Sequence, residues 1–327
     1  MKFLLACATL AALVLPCAVF AQSTDAEFTA LLKERKFAEV EKLTNDRIAE
    51  NAKDEIALWH LANFSAGDPA KREGAIAKVE ACVKAIPASA KCHHALGRLY
   101  CAAALSSGMM DGIKYASRIK DEFAKAVELD PRNFDARRDL VQFYLQAPGI
   151  AGGSVRRAIE NSEEFGKINP VQAHVLRAAV HMYEKEFDKA EALLAGVKAP
   201  ADEVSAKALQ QGWISLGFAL INDKQAARAQ AMLERQVALD PNNAAMHFGL
   251  GRAQLENNAV DLAIASMERA LKLDSKLTAH YRLGMAYQTK GDKAKAIAAF
   301  QQFLSYAPSG KAADDAKQRI DKLKQPA

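Results

Sequence analysis

Residues 247–263 read HFGLGRAQLENNAVDLA, and the main features of this stretch occur three times in the chain. In each copy a large ring side chain precedes a Leu-Gly pair by three residues, and an alanine follows the glycine by twelve. The copies are Trp213, Leu216-Gly217 and Ala229; His247, Leu250-Gly251 and Ala263; and His280, Leu283-Gly284 and Ala296. The Leu-Gly pairs are 34 and 33 residues apart, a period that accommodates two short helices. The chain is therefore predicted to consist of repeated helical pairs.

The three copies also end alike. Their last residues are Leu239-Asp240-Pro241, Leu273-Asp274-Ser275 and Tyr306-Ala307-Pro308. Proline disfavours helix in the residue before it, so it ends the second helix of a pair. Motif and period together resemble the tetratricopeptide repeat (TPR) family, whose unit is about 34 residues long. The resemblance implies an all-α fold: an α-solenoid of about eight helix-turn-helix units coiled into a right-handed superhelix.

The resemblance also implies a division of the chain. The repeats are predicted to fill residues 22–310, with a degenerate first unit and the clearest units at 210–243, 244–276 and 277–310. Residues 311–327 are predicted to form a charged capping helix and a tail, because a repeat array needs a polar outer face at its end. Residues 106–112 and 148–153 depart from the pattern and are interpreted as insertions.

The N-terminus has the pattern of a secretory signal peptide. Lys2 precedes an apolar run from Phe3 to Leu15, and small residues lead to Ala21. We expect cleavage after Ala21 and a periplasmic or secreted protein. The alternative, a membrane anchor, needs about 20 apolar residues, and this run is shorter. No integral membrane span is expected after cleavage.

Charge and composition argue against nucleic acid as a partner. The chain carries 44 Lys and Arg residues against 39 Asp and Glu residues, a formal net charge of +5. Nucleic-acid-binding proteins gather basic residues in a patch, whereas here the two signs alternate along the predicted helices. Solvated helix faces explain this pattern better.

Cysteine positions suggest one disulfide. Cys82 is near the end of one predicted unit and Cys92 near the start of the next, so stacking of the units should bring them together. An oxidising compartment favours a bond between them and leaves Cys101 as a thiol on an apolar face. Two free core thiols are the alternative, since cysteine also behaves as a small buried hydrophobe.

Catalytic, metal and cofactor motifs are lacking in the sequence. There is no G-x-S-x-G, H-E-x-x-H or P-loop pattern, so no catalytic residue is assigned, and neither a metal nor a cofactor is expected. Cys92-His93-His94 are consecutive, so their side chains point in different directions on a helix and cannot converge on one ion. His174 and His181 are too far apart for a helical zinc pair.

The stretch Pro148 to Ser154 is the one Gly-rich loop. Exposed backbone N–H groups ahead of a helix could hold an anion there. The loop lacks the spacing of phosphate-binding motifs, however, so a structural turn with Ser154 as the helix N-cap is the preferred interpretation.

The resemblance implies where a partner would bind. In TPR proteins the first helix of each unit lines a concave groove, at positions 2, 5, 9 and 12 of the repeat. Those positions carry Lys91, His94, Arg98, Arg138, Gln142, Phe218, Phe248, Arg252 and Tyr281. The early part of this groove is expected to be basic and the later part aromatic, which suits an acidic segment with an apolar anchor. The alternative is an ordinary wet surface, with the aromatic residues used for packing between repeats.

These observations predict a non-enzymatic scaffold or adaptor of the cell envelope that binds a segment of another protein. A polysaccharide-handling module, or an accessory of a secretion or synthesis complex, is the alternative function. A hidden hydrolase is a weaker third hypothesis. The partner's identity does not follow from the sequence, because a repeat fold does not specify function.

Overall fold

The computed structural model of the protein describes residues 25–34, 36–198, 200, 202–275, 277–307 and 310–325. This part of the chain consists of 17 α-helices and one 3₁₀ turn, and it contains no strand. None of its helices is long and apolar enough to cross a bilayer. The all-α prediction is confirmed. The predicted signal peptide at residues 1–21 lies outside the described residues.

Helices α1–α8 belong to a compact unit that ends at Ile168. They are α1 (Ala26–Lys33), α2 (Phe37–Glu50), α3 (Glu55–Ser65), α4 (Pro69–Ala85), α5 (Ala90–Ser106), α6 (Met109–Leu129), α7 (Phe134–Gln146) and α8 (Val155–Gly166). The 3₁₀ turn, Gly149–Ala151, separates α7 from α8.

Helices α9–α17 belong to a second unit that starts at Asn169. They are α9 (Pro170–Tyr183), α10 (Phe187–Ala195), α11 (Glu203–Asn222), α12 (Ala226–Leu239), α13 (Ala244–Glu256), α14 (Val260–Leu273), α15 (His280–Lys290), α16 (Lys293–Tyr306) and α17 (Lys311–Lys324). Within each unit, consecutive helices pair, and the second helix of a pair packs on the first helix of the next.

The repeated Leu-Gly glycines explain how the two helices of a pair pack so closely. A Cβ atom on Gly251 would lie 2.7 Å from Cγ of Met267 on the second helix of its pair. A Cβ atom on Gly217 would lie 2.8 Å from the side chain of Leu233, and one on Gly284 would lie 2.7 Å from the ring of Phe300. Each glycine is therefore needed because a large side chain of the partner helix occupies the space of a Cβ.

In the second unit, the turns inside the pairs share a left-handed residue just after the first helix. These residues are Lys185, Lys224, Asn258 and Gly291, with φ between 60° and 86°. In the second unit, the turn therefore keeps the same backbone shape while its residue type varies. Only Gly291 adopts this conformation without steric cost.

The insertion predicted at residues 106–112 takes the form of two lengthened helices. Helix α5 continues to Ser106 and α6 begins at Met109, so the connection is two residues, Ser107 and Gly108. The two helices are 17 and 21 residues long, whereas α13 and α14 have 13 and 14.

Helix α17 covers the end of the second unit. Its Ala316 and Ile320 join a core cluster with Leu283, Tyr287 and Phe300. The remaining surface of α17 is mostly charged, so the helix places an apolar stripe on the last pair and a polar face toward water. This is the arrangement expected of a capping helix.

Candidate partner-binding surfaces

Three of the predicted basic residues of the first unit, His94, Arg98 and Arg138, belong to one cluster of hydrogen bonds and ion pairs. His94 on α5 is buried, and its Nε2 lies 2.9 Å from Oδ2 of Asp139 on α7. The ring of His94 packs against Trp59 of α3, with centroids 4.5 Å apart. Arg98, one turn after His94, places its guanidinium over the same Trp59 ring at 5.3 Å. Three successive first helices thus meet through these side chains.

Acidic residues of α7 neutralise this cluster. Arg138 pairs with Asp135 at 2.7 Å and with Asp139 at 3.3 Å, and Arg98 is 3.9 Å from Asp139. Burial works to raise the pKa of Asp139, but Arg138, His94 and Arg98 together hold it well below its ordinary value. Asp139 is therefore an anion that binds three basic side chains of its own chain.

We call Trp59, Lys91, His94, Arg98, Arg138, Asp139 and Gln142 the early surface. Its expected basic character is largely internal, because the arginines and His94 already have carboxylate partners. Lys91 is half-buried, and Gln142 accepts a hydrogen bond from Gln146 at 2.9 Å.

The predicted aromatic residues of the second unit are mainly packing residues. Phe218 is only 4% exposed. Phe248 and Tyr281 pack against the core cluster of the last pairs, and the Tyr281 hydroxyl donates to Oδ2 of Asp315 at 2.7 Å. The alternative that these rings serve inter-repeat packing therefore describes them better than an open aromatic groove.

Arg252 lies on top of one of these rings. Its guanidinium carbon is 4.2 Å from the centroid of Phe218, and the side chain is half-buried. Arg282 on α15 is half-buried too, stacks at 5.8 Å on Tyr281 and approaches Sδ of Met285 at 3.7 Å. We call Phe218, Phe248, Arg252, Tyr281, Arg282 and Met285 the late surface.

Sequence reasoning missed four residues of these two surfaces, Trp59, Asp139, Arg282 and Met285, and it also missed Asp135, which pairs with Arg138. The spacing of Asp135 and Arg138 on one helix face was a usable signal for an ion pair. Arg282 could have been found from charge balance, because α13 and α15 together contain Arg252, Arg282 and Lys290 but only one acidic residue, Glu256. Cation excess on first helices is thus visible in the sequence of the second unit.

Cys82 and Cys92 form the predicted disulfide and are not two free core thiols. A disulfide joins Cys82 of α4 to Cys92 of α5, with Cα atoms 6.2 Å apart, so it connects successive helical pairs. Cys101 is a free thiol, and burial raises its pKa to about 11, which suppresses the reactive thiolate at neutral pH.

The Gly-rich loop uses its backbone N–H groups internally. Those of Ala151 and Gly153 donate to the carbonyl of Pro148 at 2.8 and 3.1 Å, and that of Ser154 donates to Tyr144 at 2.7 Å. The Ser154 hydroxyl caps α8 by accepting from the N–H of Arg157. These contacts support the structural turn and leave those amides unavailable to an anion.

Potential metal ligands do not converge where the sequence places them together. Cys92 is in the disulfide, His93 contacts Glu122 at 2.6 Å, and His94 contacts Asp139. A separate group, His181, Glu184 and Glu186, has ligand atoms within 4.8 Å of one another. Glu186 already contacts His181 and Lys189, each at 2.7 Å, so this group is a hydrogen-bonded surface turn.

Comparison with known proteins identifies the repeats. Tetratricopeptide repeat profiles match residues 219–278 and 277–309. The TPR repeat-containing protein PA0015 of Pseudomonas aeruginosa is 36% identical over 76 residues, which are 23% of this chain and 72% of that protein. The residues matched by the profiles include the helices α13 and α15 of the late surface.

Solved structures of repeat proteins are similar over most of the chain. Yeast Tom70 matches with a TM-score of 0.61 and 16% identity, over 89% of this chain and 59% of its own. The APC/C heterotetramer Cut9-Hcn1 matches with a TM-score of 0.42 and 18% identity, over 91% and 55%. The chain thus spans a little over half the length of these two proteins. At 16% identity, the likeness to Tom70 concerns the fold alone.

Proposed function

The chain belongs to the tetratricopeptide repeat family, whose members bind other proteins or peptides, and we propose that it is an exported scaffold that holds an extended segment of another envelope protein. Family members are in general non-enzymatic scaffolds. Binding would take place on the late surface, most of which lies on α13 and α15, first helices within the residues that the family profiles match.

One observation carries this proposal. On α13 and α15, many residues are buried in the core of the unit, including Gly251, Ala253 and Leu283. Arg252, Arg282 and Met285 on the same helices remain half-buried. Shorter, apolar side chains at these three positions could have been covered completely by the stacked helices. Partly covered arginine and methionine are typical of surfaces that a partner completes.

The disulfide supports the proposed export. Bonds of this kind persist in oxidising compartments such as the periplasm and are rare in the cytosol. The pairing of Cys82 with Cys92 therefore agrees with the secretory pattern at the N-terminus. Sequencing the N-terminus of protein recovered from cells tests this: a first residue of Gln22 supports export, and an intact Met1 on cytosolic protein contradicts it.

Partner identification tests the binding function. The protein carries an affinity tag at its C-terminus and is purified from the cell envelope in mild detergent, and bound proteins are identified by mass spectrometry. Each bound protein is then expressed as overlapping segments, which are titrated against the purified scaffold. We expect one short segment to retain the affinity of its whole protein. Retention of polysaccharide with no protein partner would favour the carbohydrate-handling alternative instead.

A further inference from the structure

The arginines of the late surface differ from the other groove arginines in having no carboxylate partner. In the early surface, Arg98 and Arg138 both contact Asp139. On the second helices of the same unit as the late surface, Arg228 pairs with Asp188 at 2.6 Å and Arg235 pairs with Glu191 at 2.7 Å. Arg252 and Arg282 form no ion pair with any residue in the part of the chain that the structure describes.

Their surroundings orient the two cations without neutralising them. The ring of Phe218 lies under the Arg252 guanidinium, and the Tyr281 ring and Met285 sulfur flank Arg282. Aromatic faces attract cations, but they leave the edge N–H donors of a guanidinium unsatisfied. Glu256 on α13 attracts Arg252 only from beyond ion-pair distance.

The arrangement is electrostatically unfavourable for the unbound protein. Burial and the nearby charge of Arg282 lower the pKa of Arg252 to about 10, far below the ordinary range of an arginine. A fixed anion between the two guanidinium groups would remove this repulsion and would also complete their hydrogen bonds. A carboxylate does so with the best geometry, because its two oxygens match the planar fork of an arginine.

We propose that Arg252 and Arg282 bind the carboxylate of an Asp or Glu side chain within the partner segment. This inference rests on the proposed function and names the chemistry by which the late surface selects its partner. The source is an internal acidic side chain and not a chain end, because the two arginines stand on successive first helices, α13 and α15, along which an extended segment would run. Phe218 acts as a positioning residue that holds the Arg252 guanidinium in place.

A random peptide library tests the proposal while the natural partner is still unidentified. Peptides of 12 residues are displayed on the N-terminus of a phage coat protein, so that no peptide has a free C-terminus, and are selected on immobilised wild-type protein. The same library is selected on the double variant Arg252→Gln/Arg282→Gln. We expect Asp and Glu to be enriched at one position on wild type, and this enrichment to be lost on the double variant.

Affinities of a selected peptide then isolate the contact. The peptide is acetylated, amidated and labelled, and its binding is measured by fluorescence anisotropy alongside a version with Gln or Asn in place of the enriched acidic residue. We expect the arginine substitutions to weaken binding of the acidic peptide by about 10- to 100-fold and to leave the amide version nearly unaffected. The matched control Arg228→Gln/Arg235→Gln removes the same charge from a second-helix face and should retain wild-type affinity.

The outcomes separate this inference from the proposed function. Selected peptides without an enriched acidic residue, or with one that is insensitive to the arginine substitutions, would overturn the carboxylate site and leave peptide binding standing. A selection that enriches no peptide would overturn both. Binding of polygalacturonic acid that is lost in the double variant, with no peptide selected, would assign the arginines to an acidic polysaccharide instead. Circular dichroism of all variants checks that the helices remain folded.

Discussion

Arg252 covers the ring of Phe218, with its guanidinium carbon 4.2 Å from the ring centroid. The sequence presents these residues as two separate groove positions, one basic and one aromatic. In the structure they are a single stacked contact between successive first helices, with the ring as support and the cation as the accessible group. The consequence is that the late surface is cationic.

The free protein should tolerate the loss of this cation. In Arg252→Gln the folded state no longer holds a cation whose pKa is depressed to about 10. In the wild-type protein the unfolded chain binds the Arg252 proton more tightly than the folded state does, so at neutral pH this charge opposes folding. The destabilisation fades only as pH rises from about 10 toward the pKa of the arginine in the unfolded chain. Losing the stack on Phe218 offsets part of the gain. We expect urea denaturation at pH 7 to give an unfolding free energy unchanged or raised by about 1 kcal/mol.

A decrease of more than about 1 kcal/mol in that variant would mean that Arg252 is a structural residue and not one kept for binding. Stability retained with binding lost is the pattern of functional residues, which often oppose the stability of the fold that carries them.

Two glycines of α13 should respond in opposite ways to alanine. Gly251→Ala places a methyl group 2.7 Å from Cγ of Met267 and 3.1 Å from the carbonyl of Ala263, so we expect a loss of about 1–2 kcal/mol in spite of alanine's better helix propensity. Gly249→Ala meets nothing nearer than Leu233 at 3.7 Å and should gain about 0.5–1 kcal/mol. Urea denaturation of both variants gives the comparison. Equal effects of the two substitutions would contradict the close-packing account of the Leu-Gly pair.

Gln254 is a polar residue in an apolar repeat position. It is 4% exposed, and its Oε1 has no hydrogen-bond partner among the described residues, whereas the matching positions of the neighbouring repeats hold Leu220 and Tyr287. Gln254→Leu should raise the unfolding free energy by about 1–2 kcal/mol, because it removes a buried unsatisfied carbonyl. The reciprocal variant Leu220→Gln should lower it. A loss of stability in Gln254→Leu would show that the amide contributes a favourable contact.

His60 should make the first unit sensitive to mild acid. It is fully buried on α3 against Phe28, with ring centroids 4.1 Å apart, and burial lowers its pKa to about 4. Between about pH 6.5 and pH 4 the unfolded chain takes up a proton that the folded state refuses, so stability falls as pH falls through that range. From pH 7 to pH 5 this single group should account for about 2 kcal/mol.

Comparison with His60→Phe isolates the contribution of His60. The variant keeps a ring on Phe28 but cannot be protonated, so its unfolding free energy should decline less over the same pH interval, by about 2 kcal/mol. Parallel declines in the two proteins, followed by the loss of helical circular dichroism in urea, would assign the acid sensitivity to other groups.

The helical pairs were predictable because their cause is local and repeated. Gly217, Gly251 and Gly284 recur at nearly constant spacing, since each must admit a large side chain of the helix that follows, and the period identifies the fold even where single propensities are weak. The disulfide followed from the same stacking. The sequence marks residues 106–112 as an insertion but does not give its form, because only the structure shows that most of these residues extend α5 and α6.

The charge at the predicted groove positions was harder to predict because it depends on residues distant in the sequence. His94 meets Asp139, 45 positions away in the next repeat, and only the stacked structure shows that this carboxylate neutralises the early arginines. The charges of Arg252 and Arg282 are not neutralised, because no such carboxylate lies within ion-pair distance of them among the described residues. The groove positions expected from the sequence give residue types, but predicting the net charge of a surface also requires knowing every charged side chain that lies around it.

The claim that partners bind on the late surface can be tested most directly by site-specific crosslinking. A photoreactive p-benzoylphenylalanine replaces Met285 on α15 in one protein and the exposed Ala265 on α14 in another, and each protein is irradiated in an envelope extract. We predict a defined crosslinked partner at position 285, absent at position 265 and weakened by Arg252→Gln/Arg282→Gln. Crosslinking that is equal at the two positions, or confined to position 265, would contradict the account.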